Sequence, residues 1–247
     1  MPAVGEPRWS VIIPAYNEAL RLPAYLGEVV AYFDGRDEPY EVLVVDDGSR
    51  DETAARVLEA QAAHSSVTLH RLAANHGKGF AVRAGMRAAR GDLRLMADAD
   101  GATPIGEVKR LEAAIHAGAD VAIGSRALAD PSVSRHVRLH RKLSGDVFNF
   151  LVRRLGVPEV SDTQCGFKLF RGAAAEALFG ELRTEGFGFD VELLLLARRR
   201  GYRVTEVAIN WADQPGSKVG VLTDGPRMLV QILAARLRLA RAGETRQ

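Results

Sequence analysis

Residues 93–104 read Leu-Arg-Leu-Met-Ala-Asp-Ala-Asp-Gly-Ala-Thr-Pro, and this stretch decides the fold. Its first five residues form a short, largely apolar run of the length of a buried strand. The run ends in two carboxylates one residue apart. Side chains at i and i+2 of an extended chain point the same way, so Asp98 and Asp100 converge just past the strand's carboxyl end. Gly101 lets the chain turn there, and Thr103 with Pro104 reads as the N-cap and first position of a helix. Open α/β sheets place their ligands at that edge. Two close carboxylates repel, so they need a shared proton or a cation. A hard divalent ion such as Mg2+ or Mn2+, bridged to phosphates, satisfies them. The same pair also reads as two solvated turn aspartates.

The pattern extends on both sides. Residues 9–14 and 41–45 are short apolar strands, the second β-branched as interior parallel strands are. Helices are expected over 20–33, from Ser49 to about 63 and, led in by residues 75–79, through 89, with a third strand over 67–72. Ser49 and Glu52 form a capping-box pattern. A helix over 105–116 and a strand over 120–123 follow. Alternation this regular predicts an α/β fold with a parallel sheet covered by helices on both faces. Beyond Arg126 the rhythm loosens. A basic amphipathic helix is expected over 139–155 and an extended piece over 161–171. Short helices over 173–179 and 191–200, a strand over 203–209 and a last helix over 224–241 complete the chain. Nothing resembles a linker, so residues 1–247 read as one domain, with 127–247 the more variable half.

The chain has 247 residues, 47% hydrophobic and 26% charged, enough for a sizeable core. A net charge of +2 is too mild to indicate nucleic acid. The single cysteine, Cys165, excludes an internal disulfide and a cysteine-built metal cluster, and suits a reducing, cytoplasmic compartment. Residues 1–8 lack the charged-then-apolar design of a signal peptide. No run of about eighteen uncharged apolar residues reads as a membrane span.

Other candidate groups fall on the same edge. Asp46 and Asp47 end the second strand, where a carboxylate can accept from a ribose hydroxyl or a base N–H. Pro14, Tyr16 and Glu18 end the first, either as a nucleoside contact or as a turn with Asn17 in a left-handed conformation. Asn75 to Gly79 places glycines on both sides of Lys78, able to approach phosphate closely, without Walker spacing. Arg126 ends the fifth strand, to grip phosphate or to pair with a neighbouring aspartate. Arg135, Arg138, Arg141 and Lys142 make a basic group, suited to an anionic acceptor or simply solvated. The last helix separates Arg227, Gln231, Arg238 and Arg241 from Met228, Leu229, Ile232, Leu233, Leu237 and Leu239. Arg236 interrupts the apolar side. Such a helix either lies at a membrane interface or packs on the core.

In this order these motifs resemble the inverting GT-A glycosyltransferases. The stretches 162–170, 189–192 and 210–218 are similar to the dolichyl-phosphate glucose synthase branch. The resemblance runs from about Trp9 to Lys218. It implies a single-domain, Rossmann-like GT-A fold with a mostly parallel sheet, residues 9–126 binding nucleotide sugar and 127–247 the acceptor. Pro14, Tyr16, Glu18, Asp46, Asp47, Lys78 and Asp98 are then the nucleotide-sugar residues. Asp98 and Asp100 hold Mg2+ or Mn2+. Arg126, Arg138, Arg141, Ser144 and Ser217 meet the acceptor phosphate, and Asp100, Arg126, Asp190 and Lys218 are the catalytic set. Ala102 stands where the mannose branch carries a glutamine near the metal, which favours the glucose branch. The Gln-x-x-Arg-Trp signature of processive polysaccharide synthases is absent. The implied reaction is transfer of a hexose, glucose from UDP-glucose, to a polyprenyl phosphate at the cytoplasmic face of a membrane. A GDP-mannose donor, a soluble hydroxyl acceptor with Asp190 or Glu192 as base, and a sugar nucleotidyltransferase are the alternatives.

Overall fold

Strand β1 (Trp9–Ala15) is buried along almost its whole length, and its side chains alternate between two cores. This computed structural model describes residues 6–136, 157–214 and 221–244. Trp9, Val11 and Ile13 face a layer built from helices α1 (Leu22–Asp34), α2 (Thr53–Ala63) and α4 (Val108–His116). Ile12 faces α3 (Lys78–Ala88), α5 (Gly172–Glu181) and α6 (Phe189–Arg199). Strand β2 (Tyr40–Asp46) repeats the division, with Val42 and Val44 on the first side and Leu43 and Val45 on the second. A strand covered on both faces has no solvent side to carry polar residues, hence the near-continuous apolar runs.

The other strands are β3 (Val67–Arg71), β4 (Leu93–Ala97), β5 (Val121–Ser125), β6 (Arg135–His136), β7 (Phe167–Arg171), β8 (Val204–Ala208) and β9 (Trp211–Ala212). Among the described residues the main sheet has the order β3-β2-β1-β4-β7-β5-β8, and β6 pairs with β9 separately. β1 pairs in parallel with β2 on one side and β4 on the other, so the strand order reverses at β1. This is the switch point at which doubly wound sheets open a crevice. The register brings Ala15 beside Asp46, and Asp46 beside Arg71.

The structure corrects several expectations. β7 runs antiparallel between β4 and β5, so the sheet is mixed and mostly parallel. Ala97 faces Phe167, which carries the start of β7 to the carboxyl end of β4. The Ser49–Glu52 capping box does not form: Ser49 Oγ accepts the Asn17 amide at 2.8 Å, tying the β1 turn to the β2 turn. Asp51 instead accepts the Thr53 amide at 3.0 Å. Thr103 does not cap a helix either; a 3-10 turn, Ile105–Glu107, comes first. The first helix starts at Leu22, and Leu20 before it is 96% exposed.

The last helix, α7 (Val221–Glu244), lies on α6 through Met228, Ile232 and Val191. Gln231 and Arg238, expected on its polar side, face the protein. Gln231 accepts the Gly188 amide at 3.0 Å, and Arg238 reaches buried Glu192 at 2.5 Å. The expected basic helix over 139–155 lies outside the described residues.

Candidate active site

The acidic pair sits where the sequence places it. The Asp98 amide donates to the Gly166 carbonyl at 3.0 Å, fixing the end of β4 against the start of β7. Its carboxylate lies over Gly166 so closely that a Cβ there would stand 1.9 Å from Oδ2. Lys78 Nζ is 2.6 Å from Asp98 Oδ1. Gly101 adopts φ 67°, a left-handed turn that Gly tolerates without strain. Asp100 accepts the Ala102 amide at 3.1 Å, and Arg21 stands 3.9 Å from it. Arg21 is held by both oxygens of Glu18, at 2.7 and 2.6 Å. Burial, then the neighbouring Asp98 charge, hold the Asp100 carboxyl above its ordinary value. Burial disfavours the charge on Lys78, but Asp98 and then Asp190 outweigh it and raise its pKa.

The Asp98 and Asp100 side chains both keep an outlook to solvent. Their oxygens fit a hard divalent ion. Among the described residues no third histidine or acid joins them. Asp98 and Asp100 would hold such an ion, with its remaining ligands coming from outside the side chains described, as Mg2+ sites commonly allow.

Past the carboxyl ends of β1, β2 and β3, on the same edge of the sheet, opens a cleft of about 600 Å³, lined by Tyr16, Gly48, Ser49, Arg50 and residues 71–75. Asp46 is buried next to it; Oδ1 accepts the Ser49 amide at 2.9 Å and Oδ2 lies 3.4 Å from Arg71 Nε. Tyr16 and Asp46 thus frame a nucleoside-sized space, and Pro14 lies one residue before the end of β1. Asn17 has φ 53°, the left-handed turn of the alternative reading.

Other expected contacts are redirected. Asp47 points into its own loop, accepting from Asn75 Nδ2 at 2.9 Å, His76 N at 2.9 Å and Gly77 N at 2.8 Å. Both its oxygens are occupied, so it shapes the loop that carries Lys78. Glu18 serves Arg21, not a ribose. The glycines around Lys78 approach the protein's own backbone: a Cβ on Gly77 would stand 2.7 Å from the Glu185 carbonyl, and one on Gly79 2.5 Å from that of Thr184.

Arg126 takes the ion-pair alternative. Its Nε and Nη2 hold Asp162 at 2.7 and 2.8 Å, and the guanidinium lies 5.5 Å from the Trp211 ring centre. Burial works to raise the Asp162 pKa, yet Arg126 outweighs it and holds the carboxyl below its usual range. Asp190 is not an accessible base. It is buried against Lys168 Nζ at 2.5 Å, and burial pushes its pKa up. Glu192 is equally enclosed, accepting the Thr184 amide at 2.7 Å as well as Arg238. Arg138, Arg141, Ser144, Ser217 and Lys218 lie outside the described residues.

Sequence reasoning assigned no role to Arg21, Arg71, Asp162, Gly166 or Lys168. Lys168 carried a signal of its own, as the single charge within residues 167–170.

The sequence model of glycosyl transferase family 2 matches residues 10–179. The dolichyl-phosphate beta-glucosyltransferase of Homo sapiens is 38% identical over 242 residues, 93% of this chain and 75% of that protein. The Drosophila melanogaster protein of the same description is 42% identical over 223 residues, 85% of this chain and 68% of its own. That of Saccharomyces cerevisiae is 35% identical over 248 residues, 92% of this chain and 74% of its own. Among solved structures, glucosyl-3-phosphoglycerate synthase from Mycobacterium tuberculosis, in complex with Mn2+, uridine-diphosphate and glucosyl-3-phosphoglycerate, superposes with a TM-score of 0.70. At 19% identity, covering 94% of this chain and 80% of that one, this likeness bears on the fold.

Proposed function

The chain belongs to glycosyl transferase family 2, and from that premise we propose that it transfers glucose, with inversion, from UDP-glucose to a polyprenyl phosphate of the dolichyl type. The observation that carries this reading is the convergence of Asp98, Asp100, Lys78 and Arg21 at the end of β4, on the sheet edge that also holds the 600 Å³ cleft past β1, β2 and β3. Tyr16 and Asp46 receive the nucleoside. The diphosphate then lies toward Asp98 and Asp100, which would hold Mg2+ or Mn2+; a bound ion supplies positive charge to the departing nucleotide. Lys78 and Arg21 add fixed positive charge at the same place, already oriented before substrate arrives. Arg126, its charge met by Asp162, ties the end of β5 to the segment before β7 rather than gripping the acceptor phosphate. The resemblance alone gives Arg138, Arg141, Ser144, Ser217 and Lys218 their acceptor and closing roles.

No general base is required. A phosphate monoester has a second pKa of about 6 and is largely ionised at neutral pH, so its oxygen can attack the anomeric carbon without deprotonation. A hydroxyl acceptor would need a base, and both candidates, Asp190 and Glu192, are enclosed and paired. This favours the phosphate acceptor. Its isoprenoid chain keeps the reaction at a membrane surface, on the cytoplasmic face where the sugar nucleotide is found.

Purified protein with UDP-glucose, Mn2+ and a short polyprenyl phosphate is expected to form a lipid-linked glucose of inverted anomeric configuration, read by mass spectrometry and NMR. Asp100→Ala is expected to lower the rate by roughly a thousandfold, the scale of losing one electrostatic stabiliser. Undiminished transfer by the variant would remove the acidic pair from the mechanism. Transfer to a soluble hydroxyl acceptor, with none to lipid, would replace the acceptor assignment.

A further inference from the structure

The outer face of α7 is unusual. Val230, Leu233 and Leu237 are 66%, 45% and 60% exposed, although large apolar side chains elsewhere on the molecule are mostly buried. On a helical projection of about 100° per residue, these three lie opposite Met228, Ile232 and Ala235, which are buried. Exposed Arg227 and Arg236 fall about a quarter turn to either side of the ridge, and exposed Arg241 near its end. Exposed Arg199 adds positive charge at the end of neighbouring α6. An apolar ridge between arginines is the build of a helix lying in a bilayer interface, where the arginines extend toward anionic headgroups. No described helix is long and apolar enough to cross a membrane.

The inner face ties α7 to the candidate site. Gln231 holds Gly188, and Arg238 holds Glu192, which in turn accepts the Thr184 amide. The adjacent Glu185 carbonyl accepts the Phe80 amide at 3.1 Å, beside Lys78. We propose that the Val230–Leu233–Leu237 ridge of α7 docks this protein on an anionic lipid bilayer, bringing the donor site to the surface. The proposal rests on the lipid-acceptor reading above.

The test is co-sedimentation with vesicles of phosphatidylcholine containing phosphatidylglycerol and no polyprenyl phosphate. Wild-type protein is expected to bind, more weakly as salt rises or as phosphatidylglycerol is withdrawn. Leu233→Asp with Leu237→Asp is expected to reduce binding roughly tenfold or more, from the loss of two buried apolar side chains. Its melting temperature and its transfer to a short, water-soluble polyprenyl phosphate are expected to stay near wild type. Equal vesicle binding by wild type and variant overturns the proposal, as does no binding by wild type. A concentration-dependent dimer in sedimentation velocity that the double substitution abolishes, without vesicle binding, would assign the ridge to a second copy instead. Failure of the function itself reads differently, as no transfer to the soluble acceptor.

A separate observation concerns metal loading. Lys78 Nζ, 2.6 Å from Asp98, occupies the position a cation would take, and Arg21 stands 3.9 Å from Asp100. A divalent ion arriving alone meets two like charges and must displace Lys78. A diphosphate offers Lys78 and Arg21 new anionic partners and frees the carboxylates. We infer that Lys78 is an internal counter-ion that keeps free metal out until the nucleotide binds, so that metal and nucleotide load with positive, reciprocal coupling.

Mn2+ titration followed by electron paramagnetic resonance, with and without UDP, tests this. Wild-type protein is expected to bind free Mn2+ weakly and to gain roughly five- to a hundredfold with UDP. Lys78→Met is expected to bind free Mn2+ more tightly than wild type, with a smaller gain. Free-ion affinity in Lys78→Met that is unchanged or weaker overturns the inference. Absence of Mn2+ uptake by wild type even with UDP removes the metal site itself.

Discussion

Lys168→Met is expected to unfold well below the wild-type temperature. Lys168 lies in the middle of the sheet on β7, 0% exposed. Its ammonium group donates to Asp190 at 2.5 Å and to the Cys165 carbonyl at 2.6 Å. Methionine fills similar space but leaves the Asp190 carboxylate buried without its cation. Breaking a buried pair from one side costs about 3–5 kcal/mol. For a chain of this size each kcal/mol moves Tm by roughly 2–4 °C, so a fall of about 6–20 °C is expected. The double variant Lys168→Met with Asp190→Leu removes both charges and is expected to regain much of the loss, since apolar replacements of buried pairs are often tolerated. The pH dependence has a definite sign. Burial already raises the Asp190 carboxyl above its ordinary value, and removing Lys168 raises it further. A raised folded-state value means that the folded protein favours the protonated acid. The penalty is therefore full above the folded-state pKa and disappears as pH falls through it toward the unfolded value. Scanning calorimetry of the three proteins at neutral and acid pH checks this. A single variant that melts with wild type would show that the pair contributes nothing.

How much of this was legible follows from what spacing can and cannot specify. Two residues per strand repeat fixes direction, so Asp98 and Asp100 could be placed on one side of a strand end from residues 93–104 alone. The same rule leaves Asp47 out of line with Asp46, yet it cannot say what Asp47 meets. Only the fold brings Asn75, His76 and Gly77 to its carboxylate. Partner choice is a tertiary property. Arg126 was open to phosphate or aspartate until β5 and the segment before β7 were seen side by side. The resemblance offered Asp190 as a base for a hydroxyl acceptor, and its place in residues 189–192 does not say what it packs against. It is the antiparallel β7, invisible to strand–helix alternation, that delivers Lys168 to it. The outer ridge of α7 was half legible: periodicity placed Met228 and Ile232 inward correctly, but it put Leu233 and Leu237 with them and Gln231 and Arg238 outward, whereas the last two are satisfied by buried partners.

Gly166→Ala is expected to fold and to lose nearly all transfer. The added methyl would stand 1.9 Å from Asp98 Oδ2 and 2.1 Å from its Cγ, distances no relaxation of the methyl itself can relieve. Backbone movement is resisted on both sides, since Gly166 O accepts the Asp98 amide at 3.0 Å and Phe167 is paired to Ala97. The carboxylate must therefore swing away, which breaks its 2.6 Å contact with Lys78 and its convergence with Asp100. Overpacking of this kind costs about 1–3 kcal/mol of stability, a small part of what the core provides. A displacement of about 1 Å in a reacting arrangement can cost roughly a hundredfold in rate. Loss of kcat/KM by that factor or more is expected, with Mn2+ uptake in the presence of UDP weakened in parallel and only a modest fall in Tm. The parallel loss separates this effect from simple unfolding. Retention of wild-type turnover by Gly166→Ala would mean that the placement of Asp98 over Gly166 is not what holds the departing diphosphate.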